Sequence, residues 1–409
     1  MYDAIIVGAG AAGLMAAVSA INNGYKVVVI EKMPYAGKKI LITGKGRCNI
    51  TNYCDREEFI KNIHINGRFF NSAFSKFSNT DLIEWLNTQG VSTKVERGMR
   101  VFPESDKAID VRDALVKYII KSGSDIIYNS SVKNILCYEK TVQGVTLFSG
   151  KNFLAKNVIV ATGGKSYVTT GSDGYGYRLA EACGHTIAPV YQGLVPLECK
   201  FPCQEELQGL SLKNVSAILK VDGKKVSTEF GEMLFAHFGL TGPIILSLST
   251  GASKMLLEKR LVEISLDLKP ALNEQMLEAR IQRELQDNSR KHMSVVLRKM
   301  MPASLVNTVL YMSNVQGDKQ ASQISKVERQ RILNIMKSMT FTITGVRPFA
   351  EAIITAGGVN TKEINPKNMQ SKIVSGLYFA GELLDVSGYT GGFNLQIAFS
   401  TGYVAGMLK

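Results

Sequence analysis

The chain has 409 residues, 45% of them hydrophobic and 20% charged, a composition of a globular protein with two or three domains and no reason to be disordered. Its 48 basic and 35 acidic residues leave a net charge of +13, which attracts polyanions over the whole surface but names no partner. No apolar run reaches the length of a membrane span, MYDAIIVGAG lacks the build of a signal peptide, and six cysteines without a C-x-x-C pair beside four scattered histidines argue against a disulfide framework or metal site; a cytoplasmic protein with no membrane partner is expected.

In chain order, YDAIIVGAG reads as a buried parallel strand, GLMAAVSAINNG as a helix that stops at Asn23-Gly24, and YKVVVIEK as a second buried strand. Gly8, Gly10 and Gly13 therefore fall at a strand-to-helix turn. Gly8 permits the tight turn, Gly10 lets the backbone approach a pyrophosphate, and Gly13 lets helix and strand pack closely. Glu31 closes the second strand, where it can hold the ribose hydroxyls of an adenosine. A plain turn without nucleotide is the competing reading, and the strand–helix–strand context favours the dinucleotide.

GKKILITGKGRCNITN (37–52) follows, with no acidic residue. It leaves the adenosine end and travels along the cofactor, so Lys38, Lys39 and Arg47 are expected to neutralise pyrophosphate and its glycines, Gly46 among them, to turn amides toward the ring. Cys48 is a candidate proton donor, its thiol pKa lowered by Arg47, against the alternative that it only packs near the ring. NVIVATGGKS is a further buried strand running into Ala161, Thr162 and Gly163. From Tyr191 to Thr250 short alternating segments, with a hairpin turn at Asp222-Gly223, predict antiparallel strands or a small barrel. His237 in LFAHFGLTGP is the second catalytic candidate, able to protonate a substrate or bind its carbonyl, with a structural histidine equally in view.

Residues 272–312 are helical in pattern, and 271–340 carry 11 basic against 6 acidic residues. Strands resume at MTFTITGVRPFAEAIITAGGV, where Gly357 is expected to pass close to the cofactor. GLYFAGELLDVSGYTGGFNLQIAFSTGYVAGML ends the chain with a strand, then Gly381-Glu382, then a helix opened by Gly392 near Asn394. Glu382 and Asp385 can accept hydrogen bonds from ribityl hydroxyls, and the helix aims its positive end at the pyrimidine edge of a flavin. Ala398, Gly402 and Gly406, four residues apart, suit close packing against a sheet.

Three glycine-rich signals this far apart match FAD enzymes of the glutathione-reductase and fumarate-reductase type. The expected fold is α/β, a doubly wound Rossmann-like FAD-binding domain (1–190 and 341–409) interrupted by a β-barrel-like insertion (191–270 and 325–340) and a helical subdomain (271–324). No redox-active cysteine pair and no second strand-bound G-x-G-x-x-G occurs, so NAD(P)H is expected to act as a transient electron donor visiting the substrate face.

VGAGAAGLMAA, GKGRCNITN, ATGG, SDGYGYRLA, AHFGLTGP, ITAGGVNTKEINPKNMQSK and GLYFAGELLDVSGYTGGFNLQIA occur in the order found in the BaiN/RdsA family of bacterial FAD-dependent oxidoreductases, which the sequence resembles over essentially its whole length; Ser172 departs from the usual pattern beside Asp173. The resemblance adds Ala11, Ala12, Lys32, Val132 and Asp173 to the expected FAD contacts, with Cys48 and, on the last helix, Asn394, Leu395 and Gln396. It implies an rRNA dihydrouridine synthase, in which ribosomal RNA is the partner and a uridine is flipped out to be reduced. It equally admits a small-molecule flavoenzyme, an amine oxidase or an enoate or steroid reductase. A flavin-bearing RNA-binding protein without redox turnover is the alternative from another class, and the oligomeric state is left open.

Overall fold

The computed structural model describes residues 2–408, which divide into two compact units, 2–192 with 349–408, and 193–348. The first unit is of mixed α/β Rossmann type. Strand β1 (Tyr2–Val7) leads into helix α1 (Ala11–Asn22) and strand β2 (Val27–Ile30). All four residues of β2 are buried, as a parallel strand covered on both faces requires. β1 lies between β2 and the strand Asn152–Val160, parallel to both, with Val7 beside Ile30 and Val160. Asp125–Ile127 extends the sheet beyond β2, and Leu377–Phe379 pairs with residues 158–160. An antiparallel hairpin, Val132–Tyr138 with Thr141–Leu147, joins the other half of Asn152–Val160 to complete seven strands.

The closing helix, Phe393–Gly406, does not use its small residues against a sheet as expected; it packs on α1. A Cβ on Gly402 would lie 2.2 Å from the Ala12 carbonyl oxygen, and one on Gly406 would lie 2.2 Å from that of Ala16. The reason lies in α1, whose Ala12, Ala16 and Ala20 present an equally shallow surface. Two helices without side-chain bulk meet backbone to backbone.

The second unit holds an antiparallel sheet of seven strands. Its centre is the hairpin of Ser211–Val221 and Lys224–Ala236, turning at Asp222-Gly223, where both residues have positive φ (47° and 75°) as this turn type demands. The two outermost strands, Met339–Thr342 and Gly345–Val346, are neighbours in sequence, so the sheet's edges are brought together by the two residues between them. The Ile343 N–H donates to Val262, on the strand next to one edge (2.9 Å), and the Thr344 N–H to Glu198, on the strand next to the other (2.8 Å), so two consecutive residues join both sides and roll the sheet toward a barrel. Helices Glu274–Asp287, Met293–Leu297, Ala303–Ser313 and Lys326–Lys337 bury apolar faces in the same core. The last was expected to belong to the barrel strands. Ser325 and Glu328 form a capping box instead, and only Met339–Thr342 of that stretch is strand. Among the described residues no helix is long and apolar enough to cross a membrane.

Because even a methyl group at residue 402 meets backbone, Gly402→Ala is expected to destabilise the protein by about 1–3 kcal/mol, read as a lower urea midpoint at unchanged slope.

Candidate functional site

The glycine turn separates by role. Gly8 has φ +103° and a Cβ there would lie 2.6 Å from the Ala161 oxygen, while one on Gly13 would lie 1.8 Å from the Gly8 oxygen. Nothing lies within 4 Å of a Cβ built on Gly10, which begins α1 without a side-chain cap. Two glycines therefore serve packing, and the third borders open space at a helix terminus whose N–H groups favour an anion. Glu31 is buried; one carboxylate oxygen accepts from the Ala9 N–H (2.7 Å) and the other from the Met33 N–H (2.8 Å). It splints the turn and keeps lone pairs for a ribose. The Ser130 N–H donates to the Glu31 carbonyl (2.9 Å), which brings buried Val132 to the same end. Lys32 pairs with Asp173 at 2.8 Å. Burial opposes the Asp173 charge, yet Lys32 and the Tyr175 N–H hold its pKa below the usual carboxylate value. Gly163 packs beside Ser172, and the Thr162 hydroxyl is buried with no partner.

Most of the basic opening stretch is committed to protein partners, which corrects its expected role. Arg47 pairs with Glu96 and Asp106 and lies over the Phe102 ring at 4.2 Å; the Glu96 bond above all raises its pKa. Lys39 donates to Ser166 (2.7 Å) and pairs with Glu382. Lys38 donates to the Thr169 carbonyl (2.9 Å), so its charge has no carboxylate partner there and stays available to a phosphate. Gly46, with φ +86°, lies on this loop. Cys48 is fully enclosed by protein in the hydrophobic core, and burial pushes its thiol up to about 12, against the Thr43 hydroxyl. The expected lowering by Arg47 does not occur because that guanidinium faces its carboxylates, and an enclosed thiol reaches no substrate.

Glu382 is a hub. It accepts from the Ser166 hydroxyl (2.8 Å), the Thr355 N–H (2.6 Å) and Lys39, while the Thr355 hydroxyl accepts from the Lys165 and Ser166 N–H groups (2.7 and 3.0 Å). The residues expected at opposite jobs, Lys39 and Glu382, thus neutralise one another. Gly357 is also corrected: it lies in the buried strand Ile354–Val359, where a Cβ would meet the Pro189 oxygen at 2.0 Å, so its role is packing against the neighbouring strand. Gly381 (φ +76°) touches α1, since a Cβ there would lie 2.7 Å from that of Ala12. Ala11 starts the same helix.

The end of the opening stretch positions the closing helix. Gly392, its N-cap, has φ +102° and a Cβ there would strike the Thr51 backbone at 2.4 Å. Asn49, its amide oriented to suit its neighbours, accepts from the Gly392 N–H (3.0 Å), and Asn52 donates to the Gly391 carbonyl (3.1 Å). Asn394 bonds both the Gly388 N–H and carbonyl (2.9 Å each), fixing the preceding loop. Leu395 is half-buried in the first turn, whereas the Gln396 side chain turns into the core toward Phe77 and Ser400, so it is no cofactor contact by its amide nitrogen. Sequence reasoning missed His64 and Asn66. Asn66, with φ +54°, donates to the Asp385 carboxylate (3.0 Å), Ile65 bridges Ser387, and the His64 ring lies 5.0 Å from that of Tyr389. Burial lowers the His64 pKa to about 4. NIHIN carries no recognisable signal for this, because the contact partner lies over 300 residues away.

The second unit carries its own polar cluster. His237 is exposed in the turn before Gly239–Thr241, its ring against Phe238 (4.9 Å), and the Arg347 guanidinium lies over the Phe238 ring at 4.7 Å while bonding Glu198 (3.1 Å). Arg347 was missed; the Arg-Pro pair just before the chain returns to the first unit is the only signal for it. Among the described residues no group of acidic, histidine and cysteine side chains is placed to hold a metal.

The open space at Gly10, the uncapped α1 terminus and the unpartnered Thr162 hydroxyl beside the turn fit a bound dinucleotide. A family model described as the HI0933-like protein Rossmann domain matches residues 2–408. A 3-dehydro-bile acid delta(4,6)-reductase of Clostridium scindens is 31% identical, covering 98% of this chain and 97% of the relative. A ribosomal RNA dihydrouridine synthase of Haemophilus influenzae is likewise 31% identical, over 98% and 97%. Among solved structures, a 3-ketosteroid-delta4-(5alpha)-dehydrogenase of Rhodococcus jostii RHA1 is similar in fold, with TM-score 0.55 at 15% identity, covering 100% of this chain and 96% of that one.

Gly10→Ala is expected to leave the denaturation midpoint within about 0.5 kcal/mol of wild type while weakening FAD retention in gel filtration, whereas Gly13→Ala unfolds or severely destabilises the protein. His64 is neutral when folded, so the unfolded chain takes up a proton first as pH falls; stability present above pH 6.5 drains away toward pH 4, by roughly 3 kcal/mol. His64→Gln should flatten that part of the stability–pH curve.

Proposed function

Because the chain belongs to the HI0933-like Rossmann family of FAD-dependent oxidoreductases, we propose that it is an NAD(P)H-driven reductase of a carbon–carbon double bond conjugated to a carbonyl, acting on uridine in ribosomal RNA to give dihydrouridine. The observation that carries this reading is the end-to-end likeness to a ribosomal RNA dihydrouridine synthase in a chain whose net charge is +13. The equal likeness to a bile acid reductase favours a second reading, a small conjugated enone as substrate. Reduction of an α,β double bond in either substrate adds hydride to the carbon β to the carbonyl and a proton to the α carbon, so one site chemistry serves either.

FAD, when bound, would supply the hydride, with NAD(P)H as its source. The Gly10 turn and the α1 terminus would hold the pyrophosphate, with Lys38 near it, and Glu31 would take the ribose. The closing helix, fixed by Asn49 and Asn52, would favour negative charge on the cofactor through its positive end. His237, exposed on the second unit, is the proposed proton donor of the reaction. Cys48 has no part in this.

Ribosomal RNA from a deletion strain should lack one dihydrouridine by mass spectrometry, and unchanged dihydrouridine would end the RNA reading. In the purified enzyme, His237→Gln should leave reduction of FAD by NAD(P)H unchanged and slow its reoxidation by substrate about 100-fold. Reoxidation by a free enone at a rate indifferent to RNA and salt would favour the second reading.

A further inference from the structure

The long hairpin of the second unit has one face in the barrel core, where Ala217, Leu219 and Val221 are buried. Its other face is set by register. Ser216 lies opposite Phe230, Ile218 opposite Thr228, and Lys220 opposite Lys225, with Val226 as the extra residue of a bulge between Leu219 and Lys220. That extra residue matters. Positions 225 and 230 are an odd number apart and would face opposite ways in a regular strand; the bulge returns both to the outer face. Phe230 is 63% exposed there, and Val226 is exposed at the other end, next to Lys225. Four ladder steps, about 13 Å, separate the aromatic ring from the lysine pair.

Two lysines directly opposite one another repel, and the arrangement costs the hairpin stability. Among the described residues neither Lys220, Lys224 nor Lys225 forms an ion pair within 4 Å. Of the nearby acids only Glu263 faces either lysine of the pair, so one of the two positive charges is offset. Asp222 at the turn pairs with Arg260, and Asp267, beside Ser216, pairs with Lys337. Glu263 lies next to Lys220 on the third strand, and Glu229 lies opposite Ala217 on the core-facing side, half-buried, where burial raises its pKa. An exposed aromatic ring on a sheet face, in line with a lysine pair that a single acid faces, suits a stacked base followed by backbone phosphates.

We propose that this outer face is a docking platform for single-stranded RNA, with one base on Phe230 and phosphates on Lys220 and Lys225. It rests on the RNA reading above and adds where the RNA is gripped. The test uses the full-length FAD-loaded protein and a fluorescein-labelled decauridylate, with affinity measured by anisotropy between 50 and 200 mM salt. Phe230→Ala should weaken binding about 10-fold with an unchanged salt slope. Lys225→Glu should weaken binding and reduce the salt slope by about 1 or more. The same Lys225→Glu variant replaces repulsion by attraction across the hairpin, so its Tm should rise by about 1–3 °C; loss of binding in a more stable protein excludes misfolding as the cause. Wild-type affinity in both variants overturns the platform, whatever the ribosomal RNA of the deletion strain shows. So does sedimentation showing a wild-type dimer that Phe230→Ala dissociates, because a second copy would then be the occupant. Dihydrouridine unchanged in the deletion strain, with RNA binding lost in both variants, would leave the platform standing and remove the uridine chemistry alone.

Discussion

Residues 12 and 402 touch through their backbones, and nearly every feature of the first unit depends on that contact. α1 and the closing helix each begin at a glycine N-cap without a side-chain cap, and a fixed angle between two such termini requires a fixed contact between the helices. Glycine and alanine provide it by removing the side chains that would otherwise hold the axes 8–10 Å apart. Gly381 enters the same contact at Ala12, so the turn carrying Glu382 is referenced to the same point.

Around this contact, charge is largely spent inside the protein. Lys32 with Asp173, Lys39 with Glu382, and Arg47 with Glu96 and Asp106 each join segments far apart in sequence. Such half-exposed pairs contribute little stability individually. Their value is register: Lys39 ties residue 39 to the strand end near 355 and to the turn at 382 through one carboxylate. The asparagines at 49 and 52 extend the same logic with neutral groups, locating the Gly391-Gly392 turn by amide bonds that pH does not change.

Sequence carried the Rossmann-type fold well because its markers are local. A strand, a glycine turn and a helix within 22 residues can be read from period and composition, as can the Asp222-Gly223 hairpin. Partner choice for side chains was less legible. Arg47 and Lys39 looked like phosphate ligands because their carboxylate partners lie 49 and 343 residues away, beyond any spacing rule. Cys48 looked reactive for the same reason: an adjacent arginine in sequence points elsewhere in space. Small residues every four positions announced close packing on the last helix but not its partner, since a sheet and an alanine-faced helix ask the same of it. The helix Lys326–Lys337 was hidden by its low apolar content, although its Ser-x-x-Glu start is a local sign.

A ribosome makes α1 well before the helix that covers it. At about 5–20 residues per second, some 380 residues of elongation leave the alanine face of α1 without its lid for tens of seconds. During that interval the nascent first unit has a central sheet but one uncovered layer, and the barrel unit can finish folding ahead of it. Premature termination anywhere before the final helix would therefore yield a chain with one sound module and one permanently open sandwich, a natural substrate for quality-control proteases.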